Sequence, residues 1–178
     1  PSISQEFSSM KLPTVVRPER SAKYRVGFLT GCIMDVAYSE VNTDTVDLLA
    51  MHGCEVVIPP LQECCGSLQA HNGDRKTARK LASQNIEAFR HESLDAIVIN
   101  SAGCGAFMKE YGHLFGDDTE LAANAQWLSS KTKDITEFLA TVGFKSSSYA
   151  TSPGGFLAGK RVTYHDACHL VHTQKITK

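Results

Sequence analysis

The chain has 178 residues, of which 42% are apolar and 21% charged, and its formal net charge is −1. This balance fits a globular domain with one sizeable core and excludes a disordered or fibrous chain. Near neutrality removes the electrostatic case for nucleic acid, and apolar runs such as residues 96–99 are too short to span a bilayer.

Residues 1–23 contain Pro13, Pro18, several serines and no apolar period, and read as an extended lead-in or linker. Residues 24–31 form a short β-type run stopped by Gly31. Val41, Val46, Leu48 and Leu49 give a helical pattern over 41–51, and residues 54–59 read as a second strand. The clearest helix lies over 74–91, where Ala78, Leu81, Ala82, Ile86 and Phe89 share one face. Residues 94–100 are apolar enough for a strand buried on both sides. Short helices are expected over 106–115 and 121–128. Asp134 and Glu137 make a capping box, which opens a helix through Ile135, Phe138, Leu139 and Val142. A loop rich in Ser, Gly and Pro over 145–159 leads to a fourth strand at 161–164. Strands alternating with helices predict an α/β fold, with a parallel sheet and helices on both faces.

Six cysteines remain to be placed. The opening PSISQEFSSMKLP lacks the basic-then-apolar order of a secretory signal, so the expected compartment is the cytosol, where clustered thiols bind metal or do chemistry. A disulfide framework is disfavoured by the adjacent pair Cys64 and Cys65, since a bond between neighbours is strained and closes almost no loop. Cys32 follows the first predicted strand, Cys64 and Cys65 the second, Cys104 the third and Cys168 the fourth. In a parallel sheet these connections share one carboxyl edge, the edge at which α/β folds bind ligands. Cys54 starts a strand and belongs at the far edge, as a buried structural thiol.

Thiolates suit zinc and iron–sulfur clusters rather than Mg²⁺ or Ca²⁺. Paired C-x₂₋₄-C knuckles, the usual sign of structural zinc, are absent from the sequence. Gly66, Gly103 and Gly105 allow close backbone approach and N–H groups directed at sulfur. Cys104 has a second reading as a nucleophile, because a helix start lowers a thiol pKa. Gly103-x-Gly105 lacks the rest of a dinucleotide fingerprint.

Cys32, then Cys64-Cys65-Gly66, then Ser101-x-x-Cys104 resembles the cysteine-rich CCG domain, which occurs in heterodisulfide reductases and in iron–sulfur subunits of glycolate and lactate oxidation. The wording from Cys64 through Asp74, from Asn100 through Ala106, and Lys109-Glu-Tyr-Gly-His113 is similar to the glycolate oxidase iron–sulfur subunit branch. Tyr164-His-Asp-Ala-Cys-His-Leu170 looks like the opening of a second repeat. The resemblance implies Cys32, Cys64, Cys65 and Cys104 as metal ligands, with Gly66, Ser101, Gly103 and Gly105 around the cofactor. Ser101 stands where the pattern has a further cysteine, and a neutral hydroxyl is a poor ligand. The implied cofactor is an iron–sulfur cluster of [4Fe–4S] type; zinc, or a thiol–disulfide enzyme, are the alternatives.

The implied role is electron transfer from a flavin-containing glycolate oxidase subunit toward quinone, with no catalytic residue in this chain. The implied location is cytoplasmic, peripheral to the membrane through partners. Domain bounds follow as a lead-in over 1–23, a first CCG domain over 24–144, and a loop plus a truncated second repeat over 145–178. An upstream ferredoxin-like domain and the remainder of the second repeat are expected elsewhere in the full protein. Around Cys168, His165 and His169 are read as shaping a strand-to-helix turn, with His172 one turn on. His71 is read as helix entry, and Trp127 and Phe138 as core or interface residues.

Overall fold

The computed structural model describes residue 3 and residues 6–116, 119–144 and 159–177. Strands β1 (Val15–Val16), β2 (Tyr24–Leu29), β3 (Cys54–Val57), β4 (Ala96–Ile99) and β5 (Thr132–Asp134) form one sheet in the order β1-β3-β2-β4-β5. The pairs β3–β2, β2–β4 and β4–β5 are parallel, and β1 runs antiparallel to β3 with Val15 opposite Val57. The helices are α1 (Ser8–Lys11), α2 (Ile33–Ala37), α3 (Ser39–Met51), α4 (Ser67–His71), α5 (Arg75–Arg90), α6 (Ala102–Lys109), α7 (Thr119–Lys131) and α8 (Ile135–Thr141). A 3-10 turn covers Tyr111–Leu114 and a π-helical turn His169–Thr173.

Period-two alternation along the strands divides the apolar residues between two cores. Val26, Phe28, Val56, Ala96 and Val98 pack with Val46 and Leu49 of α3 and Phe138 of α8. Leu29, Val57, Ile97 and Ile99 pack on the other face with Ile86 and Phe89 of α5, Met108 of α6 and Leu128 of α7. Helices therefore cover both faces of a mostly parallel sheet, as the sequence predicts. Gly27 makes the close seat of α5 possible: a Cβ there would stand 2.8 Å from Leu94 and 2.9 Å from Phe89. No helix among the described residues is long and apolar enough to cross a membrane.

Two expectations need correction. The lead-in is not extended throughout: α1 forms within it, and β1 extends the sheet edge with only two valines, too short a run to announce a strand. Residues 161–164 join no strand among the described residues, and Val162 is 68% and Tyr164 60% exposed. The last parallel strand is instead Thr132–Asp134, whose polar letters hide it although Thr132 and Asp134 are buried. The Ser/Gly/Pro loop lies largely outside the described residues.

The capping box forms as read. Asp134 Oδ1 accepts from Thr136 N at 2.9 Å and Thr136 Oγ1 at 2.6 Å, and Glu137 Oε2 accepts from Asp134 N at 3.4 Å. Glu137 also pairs with Lys109 at 2.6 Å and Lys133 at 2.7 Å, tying α8 to α6 and β5. Asp134→Ala is expected to lower unfolding stability by about 1–2 kcal/mol. Urea denaturation should show a lower midpoint at unchanged slope.

Candidate metal centre

Three connections bring cysteines to the carboxyl edge of the sheet. Cys32 stands two residues past Thr30, at the start of α2. Cys64 and Cys65 end the loop after β3, and Gly66 at φ +85° turns the chain into α4. That turn needs glycine twice over, because a Cβ at Gly66 would also lie 3.2 Å from Ala78 O. Cys104 lies in the first turn of α6, directly after β4.

The four thiols lie together. Cys32 Sγ is 3.4 Å from Cys64 Sγ, Cys64 and Cys104 pack against the core that contains Cys65, and the protonation of Cys65 is tied to both of them. Backbone N–H groups serve the sulfurs: Ser67 N donates to Cys65 Sγ at 3.5 Å, and the N–H groups of Gly66 and Ile33 favour the ionised forms of Cys64 and Cys32. Cys65 is 2% exposed, whereas Cys32, Cys64 and Cys104 are half-buried.

Residues the sequence reading did not single out hold these loops. Asn85, wholly buried on α5, accepts from Glu63 N at 2.8 Å and donates to Cys64 O at 3.0 Å. Tyr111 Oη, also wholly buried, donates to Cys65 O at 2.5 Å. Gln62 accepts from Thr30 N at 2.8 Å and donates to Phe28 O at 3.2 Å, joining the second cysteine loop to the end of β2. On the other side Asn42 donates to Thr30 O at 2.8 Å and Ser8 Oγ at 2.9 Å, and Asn100 donates to Asn42 at 3.1 Å. Taken singly, an Asn or Gln in a helix or loop is an ordinary surface residue. The signals were Asn85 falling beside Ile86 on the apolar face of its helix, and Asn100 and Tyr111 lying in the stretches that carry the resemblance.

Protons shared among the group sort the thiols. The hydrogen bond from Cys65, helped by Gly66 N–H, pulls Cys64 down to about 5. The hydrogen bond with Cys65 and another from Ser101 bring Cys104 down to about 7. Burial and the bond to Cys64 push Cys32 up to about 11, and Cys65, which gives hydrogen bonds to Cys104 and Cys64 from a buried position, is driven up as well. Cys54 is also raised to about 11, chiefly by burial, but it sits at the amino end of β3 inside the α3-side core. It takes no part in the group.

The remaining predicted residues fall around the edge. Ser101 occupies the N-cap position of α6 and bonds to Cys104. Gly105 N donates to Ser101 O at 2.9 Å within the helix rather than toward a sulfur. The bare face at Gly103 and Gly105 instead admits the 169–174 segment: a Cβ would lie 3.8 Å from His169 and 3.2 Å from Gln174. Gln174 Nε2 donates to Ala102 O at 2.9 Å. Cys168 is exposed and follows no sheet strand, so it does not arrive by a fourth βα connection. His169 and His172 lie in the π-helical turn, and exposed His165 lies in the irregular stretch before it. His71 ends α4 rather than opening α5, whose N-cap is Asp74, and its ring stands 6.0 Å from His169. Trp127 packs against the α5-side core, and Phe138 is buried in the other.

The donor set fits a thiophilic metal group. It supplies soft sulfur ligands, two of them readily ionised, and N–H groups of the kind that stabilise charged sulfur. Among the described residues no three His, Cys, Asp or Glu side chains are grouped to hold one metal ion. The thiols form a group rather than a closed single-ion cage.

Residues 26–109 match the model of the CCG family, described as a cysteine-rich domain. The chain is 42% identical to the probable glycolate oxidase iron–sulfur subunit of Bacillus subtilis over 148 residues, covering 83% of this chain and 32% of that protein. It is 36% identical over 145 residues to lactate utilization protein A of Shouchella clausii, covering 82% of this chain and 57% of that protein. It is 34% identical over 176 residues to an uncharacterized iron–sulfur protein of Methanocaldococcus jannaschii, covering 99% of this chain and 32% of that one. The chain thus spans between 32% and 57% of the length of these curated relatives. No solved structure matches at a significant level. With the motif cysteines gathered at one sheet edge and the pattern matched from residue 26 to 109, those residues form a cysteine-rich domain of the CCG type.

Proposed function

We propose that Cys32, Cys64, Cys65 and Cys104 hold an iron–sulfur cluster of [4Fe–4S] type, and that the chain is an electron-transfer portion of a complex oxidising glycolate or a related 2-hydroxy acid. The observation that carries this reading is the gathering of four thiols from three separate sheet-edge connections, with Cys32 and Cys64 in contact and a backbone N–H directed at Cys65. The relatives named as iron–sulfur and glycolate oxidase proteins support it. When bound, such a cluster supplies one-electron transfer. The protein's part is to present sulfur, direct N–H groups at it and limit water on the Cys65 side. A flavin-bearing partner would take the hydride from the substrate and this chain would pass electrons on toward quinone, so the chain alone should not oxidise glycolate. We place the complex on the cytoplasmic side of the membrane, with residues 145–178 beginning a second repeat.

Anaerobic reconstitution with iron and sulfide should give a brown chain containing iron and acid-labile sulfide. Colourless protein with one zinc per chain would sink the proposal. Cys64→Ser and Cys65→Ser should each lose the iron, whereas Cys54→Ser should retain it; iron retained in both pair variants would refute the ligand set. Asn85→Leu strands Glu63 N–H and Cys64 O without partners, and should cost about 2–4 kcal/mol in urea denaturation and weaken iron retention. Tyr111→Phe removes one donor to Cys65 O, and its cost should stay at about 1–2 kcal/mol.

A further inference from the structure

A cavity of about 480 Å³ opens between α2 and the loop after β3, and of the four gathered thiols only Cys32 and Cys64 line it. Their Sγ atoms are 3.4 Å apart. A disulfide brings sulfurs to about 2.05 Å, so the pair must close by about 1.4 Å. Space adjoins the backbone just before Cys32: a Cβ at Gly31, at φ +69°, would meet nothing nearer than Met34 Cβ at 3.8 Å. The cavity wall is apolar at Phe7, Leu12 and Ile58. Among the described residues its formal charges are the carboxylates Asp35 and Glu63, and no Lys, Arg or His lines it.

We propose that Cys32 and Cys64 of the metal-free chain are a disulfide modification site, oxidised by small neutral or cationic disulfides that enter through this cavity. One cysteine thiolate attacks a sulfur of the incoming disulfide, forming a mixed disulfide and releasing one small thiol. The second cysteine then attacks the mixed bond, the Cys32–Cys64 bridge forms and the second small thiol leaves. In sum the two cysteines lose two electrons and two protons, and one small disulfide becomes two thiols. Cys65 is a poor partner for Cys64, because a bond between neighbours is strained and Cys65 does not line the cavity. The two carboxylates favour an approaching cation and oppose an anion. The bridge needs two thiols and a cavity, so this proposal stands apart from the cluster reading; bridging would remove two of the four proposed ligands.

The test uses the reduced, chelator-treated chain, exposed separately to cystamine, bis(2-hydroxyethyl) disulfide and dithiodiglycolate, then alkylated for intact mass and peptide mapping. The expected result is loss of two hydrogens and a peptide joining Cys32 to Cys64, with cationic cystamine about tenfold faster than the dicarboxylate at low salt. Glu63→Gln should narrow that ratio. Cys32→Ser and Cys64→Ser should each stop at a mixed disulfide carrying one small-molecule adduct, and Cys54→Ser and Cys168→Ser should still bridge. A wild-type bridge mapping to Cys65, Cys104 or Cys168, no bridge at all, or equal rates for the cationic and anionic disulfides would overturn the proposal. Iron and sulfide content from reconstitution is an independent readout, so failure of one reading leaves the other standing.

Discussion

From the middle of α5, the Asn85 carboxamide reaches both peptide groups flanking the Glu63–Cys64 bond, accepting on one side and donating on the other. Tyr111 does the same for the next residue, giving its phenolic hydrogen to Cys65 O. Both side chains are wholly buried, so no water competes for these bonds, and a missing partner would cost the full desolvation of a polar group. The paired cysteines are therefore fixed through their backbone from beneath, which leaves their sulfurs free to face the other two thiols.

The sheet topology explains why these loops meet. Strand β2 lies between β3 and β4, so the chain first moves to one side of β2 and later returns to the other. The connection to β3 covers one face through α3, and the connection to β4 covers the opposite face through α5. Helices departing on opposite faces leave a crevice above the reversal point, the general ligand position of open α/β sheets. Gln62 and Asn42 brace that crevice by bonding to both polar groups of Thr30, the N–H and the carbonyl.

Much of this was legible in the sequence because it is written in local patterns. The apolar runs of β2, β3 and β4, the amphipathic face of α5 and the Asp134–Glu137 box each follow from a short stretch of chain. The gathering of Cys32, Cys64, Cys65 and Cys104 was legible because each of these four follows a strand recognisable by itself. What failed was decided by tertiary partners. Thr132–Asp134 is a strand because it pairs in parallel with β4, and residues 161–164 pair with no strand among the described residues. Asn85, Asn42 and Tyr111 were hidden for the same reason: a buried carboxamide or phenol gains its meaning only from backbone groups far away in sequence, as Tyr111 does from Cys65.

The group of thiols joins residues 32 positions apart in the case of Cys32 and Cys64, and reaches on to a third connection at Cys104. No local segment contains more than the Cys64-Cys65 pair, so an unfolded chain offers a metal at most two of the four sulfurs together. Any ligand that requires the whole group binds the native state alone and stabilises it by mass action. Occupancy thereby becomes a check on assembly: only chains that have completed the β3-β2-β4 pairing can hold a ligand that needs all four sulfurs.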